Sequence, residues 1–563
     1  MSSDVEQLVS AAHRLRQQGR FAEAKNAAER ALEMDPENAS AWFNAGAALG
    51  GLAQLAGAEA AYRRALARNP LYAEAWSNLG GILAATGRTD EALDAYRKAL
   101  DANPGLAPVW SNLGNALCMA RRYGEAQAAC RRAVELDQSF APGWLNLGRA
   151  LHELKRPAEA RDACLRAVEL APQLADAWAG LANALIGMRE FSAGIDAYEK
   201  AISLCPNNSE FRTNLGLALR RVGLESEGCA SLRKALTLDP ANGLASWNLG
   251  LALLGRGELA EGWRRYEARW AVPHLPPRRY RAKGGPPLSG TALLWGEQGI
   301  GDHVLYARMA AEAAQAGAAV TLETDARLVA LFRRSFTGLT VVPQTDPPQV
   351  DPAQFDHVVP LASLGGLLRN SFGAFPRHSG YLRVDQARRA RYRPILTGAE
   401  PRNRLVVGIA WRSKNPELAN EKSAPLGVWG PLLATPGVTF VDLQYGDVAE
   451  ERRDAEQCFG LRIPTVPGLD VFADLDGLTA AQAACDLVIT TSTVNAHLAG
   501  AAGQPAWILL PERVGNQWYW FADRDDSPWY PSLSLIRQAQ DGDWSSAMAV
   551  AAGRLRERLA RAS

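Results

Sequence analysis

Residues Leu71 to Pro104, LYAEAWSNLGGILAATGRTDEALDAYRKALDANP, are one copy of a pattern that recurs every 34 residues. Asn78 has counterparts at Asn44, Asn112, Asn146, Asn214 and Asn248, and each stands two residues before a glycine (Gly80, Gly46, Gly114, Gly148, Gly216 and Gly250). Trp76 recurs as Trp42, Trp110, Trp144 and Trp178. Tyr96 recurs as Tyr62, Tyr198 and Tyr266, and Ala92 as Ala58, Ala126 and Ala160. Units end at Pro36, Pro70, Pro104, Pro172, Pro206 and Pro240, with Gln138 taking that place once. Asn is about 0.6 kcal/mol worse than Ala inside a helix. Its return at one register therefore points to a row of amides facing something, and an extended peptide fits best.

This period resembles the tetratricopeptide repeat, in which each unit is two antiparallel helices with small residues where they approach closely. Residues 1–273 hold about eight units, the first and last irregular. No unit can bury its apolar face alone, so the resemblance implies stacking into a superhelix. The asparagines lie on first helices, which line the inner wall. An amide offers a donor and an acceptor, so it can pair with one peptide unit of an extended chain. The alternative is that each Asn bridges neighbouring units. The row is broken at Gly180. A similar ladder marks the repeat domain of the O-linked N-acetylglucosamine transferases, which implies an array that presents a protein substrate to the region that follows.

At 563 residues the chain is too long for one core. With 61 basic and 60 acidic residues it carries +1 charge, which gives no support for a nucleic-acid or membrane-surface partner. No apolar run is long enough for a membrane span. The start, Met-Ser-Ser-Asp-Val-Glu, lacks the features of a signal peptide. Seven cysteines without metal-ligand spacing read as small core residues in a reducing compartment, which predicts a cytoplasmic protein.

The repeat pattern stops at a Pro- and Arg-rich linker, residues 274–290. Beyond it, short apolar runs alternate with helical patterns. Strands are predicted at Thr291–Trp295, Ala319–Glu323, Thr340–Val342, His357–Pro360, Leu405–Ala410, Thr439–Leu443, Leu487–Thr490 and Ala506–Leu510. Helices are predicted at Val304–Ala316, Ala326–Phe336, Thr479–Ala484 and Trp544–Arg561. The alternation predicts parallel sheets flanked by helices, α/β in class. A Pro-containing break, Thr397 to Asn403, divides the region into halves 291–400 and 401–563, an arrangement suited to a ligand cleft.

Three segments there carry chemistry. In Leu294-Trp295-Gly296-Glu297-Gln298-Gly299-Ile300-Gly301-Asp302, a strand gives way to a helix. Gly299 and Gly301 let backbone approach a ligand. Asp302 reads either as an N-cap or as a general base for a hydroxyl. The segment Gly408 to Asn415, continuing through Asn420-Glu421-Lys422-Ser423-Ala424-Pro425-Leu426, reads as a phosphate-binding loop or a solvated surface loop. In Leu487 to Pro505 a buried strand runs into Thr490-Thr491-Ser492-Thr493-Val494, then a helix near Asn495–His497. There the helix start and an imidazole suit a phosphate.

Together the three segments resemble the heptosyltransferase-like glycosyltransferases of the GT-B fold, with two Rossmann-like halves. The resemblance implies that Asp302 is the catalytic base on an acceptor-side half, 291–400. It implies that 401–563 binds a nucleotide-sugar through Gly299, Gly301, Trp411, Lys422, Ser423, Gln444, Ser492, Thr493, Val494 and His497. Trp411, Asn415 and Pro416 match the start of that family's Trp-x-Gly-Asn-Pro segment. Phe440-Val441-Asp442-Leu443-Gln444 looks like its second-strand Ser-Leu-Gln. Ser492 departs from the family's Asp, and Lys422 replaces an Arg.

A closer match is the bacterial group that joins this transferase domain to tetratricopeptide repeats, similar at Glu297 to Asp302 and at Arg524 to Ser532. Members glycosylate flagellin with nonulosonic acids from CMP-sugars. The resemblance implies transfer to Ser or Thr of a protein acceptor, flagellin, held by Asn44, Asn78, Asn112, Asn146, Asn214 and Asn248. A CMP-sugar is the favoured co-substrate, with ADP- and UDP-sugars as alternatives. No metal and no bound cofactor are expected. A non-catalytic scaffold or chaperone, and a glycan or lipid-linked sugar transferase, are the competing readings. Gln517-Trp518-Tyr519-Trp520-Phe521 is either a stacking platform or packing. Asp525-Asp526 reads as a turn and not as a metal motif.

Overall fold

A computed structural model describes residues 2–272, 275, 278–397, 404–414, 419–513 and 515–562. Part of the expected linker (His274, Pro276 and Pro277), the break from Gly398 to Asn403, and Asn415 with Pro416 lie outside the described residues. The chain forms two compact units, Met1–Val222 and Gly223–Ser563. The architecture is an N-terminal helical superhelix followed by an α/β region of parallel sheets.

In the first unit the helices run as antiparallel pairs, such as Ala39–Gly51 with Leu55–Arg68 and Ala73–Ala85 with Thr89–Ala102. The coupling of Trp to Pro has a direct cause. The indole N–H of each Trp donates to the carbonyl six residues earlier: Trp42 to Pro36 at 2.8 Å, Trp76 to Pro70 at 2.8 Å, Trp110 to Pro104 at 2.9 Å and Trp178 to Pro172 at 2.9 Å. Trp144 makes the same bond to Gln138 at 3.0 Å, because a backbone carbonyl is all that is needed. The conserved spacing of glycine and tyrosine is steric. A Cβ on Gly46 would lie 2.9 Å from the Tyr62 ring, and one on Gly80 would lie 2.7 Å from Tyr96. Where Cys130 and Cys164 stand in the tyrosine position, the backbones themselves close in, and a Cβ on Gly114 or Gly148 would meet the Cys sulfur. The turn inside each pair needs a left-handed residue. Glycine supplies it at 19 and 87, but Ala53, Arg121, Lys155 and Arg189 adopt positive φ there.

The second unit contains helices Glu225–Leu238, Gly243–Gly255 and Leu259–Tyr266, a 3-10 turn Glu267–Ala271, and two parallel sheets. The first sheet has β1 (Thr291–Trp295), β2 (Ala319–Thr324), β3 (Thr340–Pro343) and β4 (His357–Pro360), in the order β3-β2-β1-β4. The second has β5 (Leu405–Ala410), β6 (Val438–Asp442), β7 (Leu487–Thr491), β8 (Ala506–Leu510) and β9 (Leu533–Arg537), in the order β6-β5-β7-β8-β9. Strand side chains alternate between faces. Val406 and Val488 therefore join one core, and Val407, Ile409, Leu487 and Ile489 join another beneath the closing helix Trp544–Ala562.

Eight strands fall where the apolar runs predict them, within a residue. β9 is not expected from sequence: Ser534 and Arg537 interrupt its apolar character, and it forms by pairing along β8. The helix expected at Val304–Ala316 begins earlier and spans Ile300–Gln315. Gly299 is its N-cap, so Asp302 is a first-turn residue and not the cap itself.

Candidate functional site

In an open parallel sheet, ligands gather beyond the carboxyl ends of strands where the strand order reverses. Those points are β1/β4 in one sheet and β5/β7 in the other. The loop after β1 leads into the helix turn that carries Asp302, the loop after β5 leads to Lys422, and the turn after β7 carries Ser492 and Thr493 into the helix of His497. Helix Ile300–Gln315 packs on helix Val494–Ala501. At the contact, a Cβ on Gly301 would lie 2.8 Å from the His497 ring, so only glycine fits.

Asp302 accepts a hydrogen bond from the Gly299 amide at 3.1 Å. Its carboxyl is surrounded by protein atoms yet keeps an edge in reach of solvent. Burial pushes its pKa up to about 7, opposed by the Gly299 amide and the Lys422 ammonium and helped by Glu297. Lys422 is buried, 8% exposed. Among the described residues no carboxylate lies within ion-pairing distance of its ammonium. Burial lowers its pKa and Asp302 opposes that. A largely buried lysine that makes no ion pair suits an arriving anion.

His497 is 2% exposed and stacks on Trp520, with ring centroids 5.5 Å apart. Its Nδ1 shares a hydrogen bond with the Tyr530 hydroxyl at 3.0 Å. Burial first, then Lys422, lowers its pKa to about 3, so the imidazole is neutral near pH 7. It can hydrogen-bond a ligand but brings no positive charge. Ser492 is drawn into the same packing and accepts from Trp520 Nε1 at 2.8 Å. Thr493 is the N-cap of helix Val494–Ala501 and its hydroxyl makes no capping bond. The Val494 and Asn495 amides at the start of that helix lack intrahelical partners, whereas Ala496 donates to Thr493 O at 3.0 Å.

Other expected ligand contacts have structural work. Gln444 is 4% exposed; its Oε1 accepts from the Trp411 and Arg412 amides, both at 2.7 Å, and its Nε2 donates to the Arg412 and Tyr445 carbonyls. It braces the loop after β5 and has little left for a nucleotide. The Trp411 indole is wholly enclosed in the core, so a ligand contact from that side chain is corrected to a packing role. Ser423 Oγ accepts from the Ser413 amide at 3.0 Å and holds the Lys422 segment to that loop. Trp518 to Phe521 form packing around Trp263, Trp529 and His497, and Tyr519, Trp520 and Phe521 are buried. Among the described residues no cluster of His, Cys, Asp or Glu could hold a metal, and no helix is long and apolar enough to cross a membrane.

The asparagines do not form a uniform row. Asn44 and Asn248 are buried, and each donates to the carbonyl four residues back, Ser40 at 3.0 Å and Leu244 at 2.9 Å. A peptide cannot reach these two, which corrects the expectation of six equivalent amides. Asn78 donates to the Tyr62 hydroxyl at 3.3 Å and Asn146 to Ser111 Oγ at 2.9 Å, both in the preceding unit. Asn214 pairs with Tyr198. Asn112 is exposed and shares a depression with Asn78, Tyr62 and Ile82. The bridging role thus accounts for Asn78, Asn146 and Asn214, Asn44 and Asn248 bond within their own helices, and Asn112 is the open amide.

Sequence reasoning passed over Asn495, which is fully buried and ties the His497 helix to the end of β6 by donating to Leu443 O at 3.4 Å. It also passed over Tyr530 and the Arg269–Glu297 pair described below. These contacts join segments far apart in the chain, and no local pattern marks them.

The first unit is built of tetratricopeptide repeats. Residues 9–49, 46–107 and 111–175 match the tetratricopeptide repeat family, and further repeat descriptions match 175–208 and 197–228. The chain is similar to Protein FlbA of Caulobacter vibrioides, 34% identical over 329 residues, covering 54% of this chain and 53% of the relative. It thus spans about half the length of that curated relative. Among solved structures, the APC/C hetero-tetramer Cut9–Hcn1 is 20% identical, with TM-score 0.40 over 43% of this chain and 48% of that one. A tetratricopeptide repeat protein from Parabacteroides merdae is 16% identical, with TM-score 0.38 over 45% and 99%.

Proposed function

We propose that the chain is a protein O-glycosyltransferase of the GT-B type, acting from a nucleotide-sugar on a Ser or Thr hydroxyl of a protein acceptor. The observation that carries this reading is the convergence of Asp302, the largely buried Lys422 and His497 beyond the strand-order reversals of two parallel sheets. A base of pKa about 7 suits removal of a proton from an attacking hydroxyl near neutral pH. The acceptor oxygen attacks the anomeric carbon and the bond to the nucleotide phosphate breaks, while the hydroxyl proton passes to Asp302. Lys422, the Thr493 hydroxyl and the open amides at the start of helix Val494–Ala501 stabilise the charge on the departing phosphate. Neutral His497 contributes a hydrogen bond and not a charge.

Ser492, which stands where the family has Asp, is accommodated by the bond it accepts from Trp520. The tetratricopeptide repeats support a protein acceptor. Flagellin as acceptor and a CMP-linked nonulosonic acid as donor rest on the family resemblance. The test is intact-mass analysis of flagellin co-expressed with the wild-type chain or Asp302→Ala, together with nucleotide calorimetry. A mass gain of one sugar with wild type and none with the variant is expected. No gain with either chain, and no nucleotide binding by the wild type, would falsify the reading.

A further inference from the structure

Arg269 lies in the 3-10 turn that ends the last helical pair, and it is 1% exposed. Its Nε and Nη2 donate to the two carboxylate oxygens of Glu297 at 2.7 and 2.9 Å. Nη2 also reaches Ser363 Oγ at 2.9 Å, and Nη1 reaches Glu267 at 2.9 Å and the Tyr266 carbonyl at 3.3 Å. The rings of Tyr266 and Trp270 lie 4.5 and 4.4 Å from the guanidinium carbon. Glu297 accepts in addition from the Ala362 amide at 3.3 Å. The next residue, Gln298, holds φ +59, a left-handed conformation that a non-glycine residue adopts at a cost. Its Nε2 donates to the Tyr266 hydroxyl at 2.9 Å. Gly299 follows, then the first turn containing Asp302.

A buried ion pair generally adds little net stability over an apolar pair of the same volume. What a bidentate fork supplies is geometry. Both residues that grip the loop come from the helical segment preceding the sheets, and the loop they grip ends on Asp302. We infer that Arg269 and Tyr266 are positioning residues: they fix Glu297 and Gln298, and through them the placement of Asp302 toward an acceptor hydroxyl. This inference rests on the reading of Asp302 as the base. It makes the last helical pair a working part of the site and not a detachable neighbour.

The test uses the full chain as wild type, Arg269→Lys and Tyr266→Phe. Hydrogen exchange by mass spectrometry reads the amides from Gly296 to Val304, and kinetics read kcat and the nucleotide-sugar KM. Lysine keeps the charge and loses the fork. Exchange in that segment is expected to rise at least about fivefold in Arg269→Lys with β5 and β7 unchanged, because a lost fork frees the loop and leaves the second sheet paired. kcat is expected to fall at least about tenfold with KM within about twofold. Unchanged loop protection in both variants, or a parallel loss of kcat and nucleotide affinity, overturns the inference. If Arg269→Lys does not fold, Arg269→Met with Glu297→Met removes both charges; a loosened loop and reduced kcat support the inference, and a protected loop with full kcat overturns it. If the wild-type chain transfers no sugar, the functional reading falls, and loop exchange alone decides the positioning role.

Discussion

Asp302→Asn should make the protein more resistant to denaturant, and only at high pH. A carboxyl whose folded pKa lies above its unfolded value holds its proton more tightly in the folded state. Stability is then fully present below the unfolded pKa and is lost as pH rises through the folded one. For Asp302 the window runs from 3.8 to about 7. At 1.36 kcal/mol per pH unit the gap sets a ceiling of about 4 kcal/mol. Solvent still reaches one edge of the carboxyl, which screens part of this, and about 1–2 kcal/mol is the expected yield. Asparagine Oδ1 can still accept from the Gly299 amide, so the helix start is kept. Urea midpoints of wild type and variant should nearly coincide at about pH 4 and separate progressively to about pH 8.5. A difference that stays constant across that range means that Asp302 titrates as an ordinary surface carboxylate, and the desolvated base disappears with it.

Lys422→Met should lower nucleotide affinity by more than about tenfold in calorimetry while leaving stability equal or higher, because it removes a largely buried cation that makes no ion pair; unchanged affinity would take Lys422 out of the site. Nucleotide affinity should show no histidine titration between about pH 5 and 8, since His497 stays neutral there, and His497→Asn should leave that profile's shape intact. In the first unit, Arg121→Gly or Lys155→Gly should stabilise by about 0.5–1 kcal/mol, as measured by thermal melting, because each sits at positive φ. Asn112→Ala should weaken acceptor capture more than Asn44→Ala, which removes a buried bond and should instead lower the melting temperature.

Periodic features were the legible part of this chain. Trp76, Gly80, Tyr96 and Pro104 announce their unit because each makes a local contact that a neighbouring unit repeats. Strands β1 to β8 show as apolar runs because both faces of their sheets are covered. Strand β9 was hidden because Arg537 serves loop carbonyls, among them Trp520 O at 3.0 Å. The candidate site was legible in its loops and not in its division of labour. Gln444 and Trp411 lie in the expected segment, yet one is spent on backbone amides and the other on the core. The Asn series misled in part because an amide that bridges helices recurs with the same period as one that faces a ligand. Arg269 and Glu297 meet across 28 positions, and nothing near either residue names the other.

Each of the five indole-to-carbonyl bonds is closed within seven consecutive residues and ties the start of one unit to the last residue of the unit before it. Each of these joints therefore carries a latch made of local chain alone. Losing one indole should fray a single joint and leave the modules on either side fastened, so damage to the array is confined where it occurs.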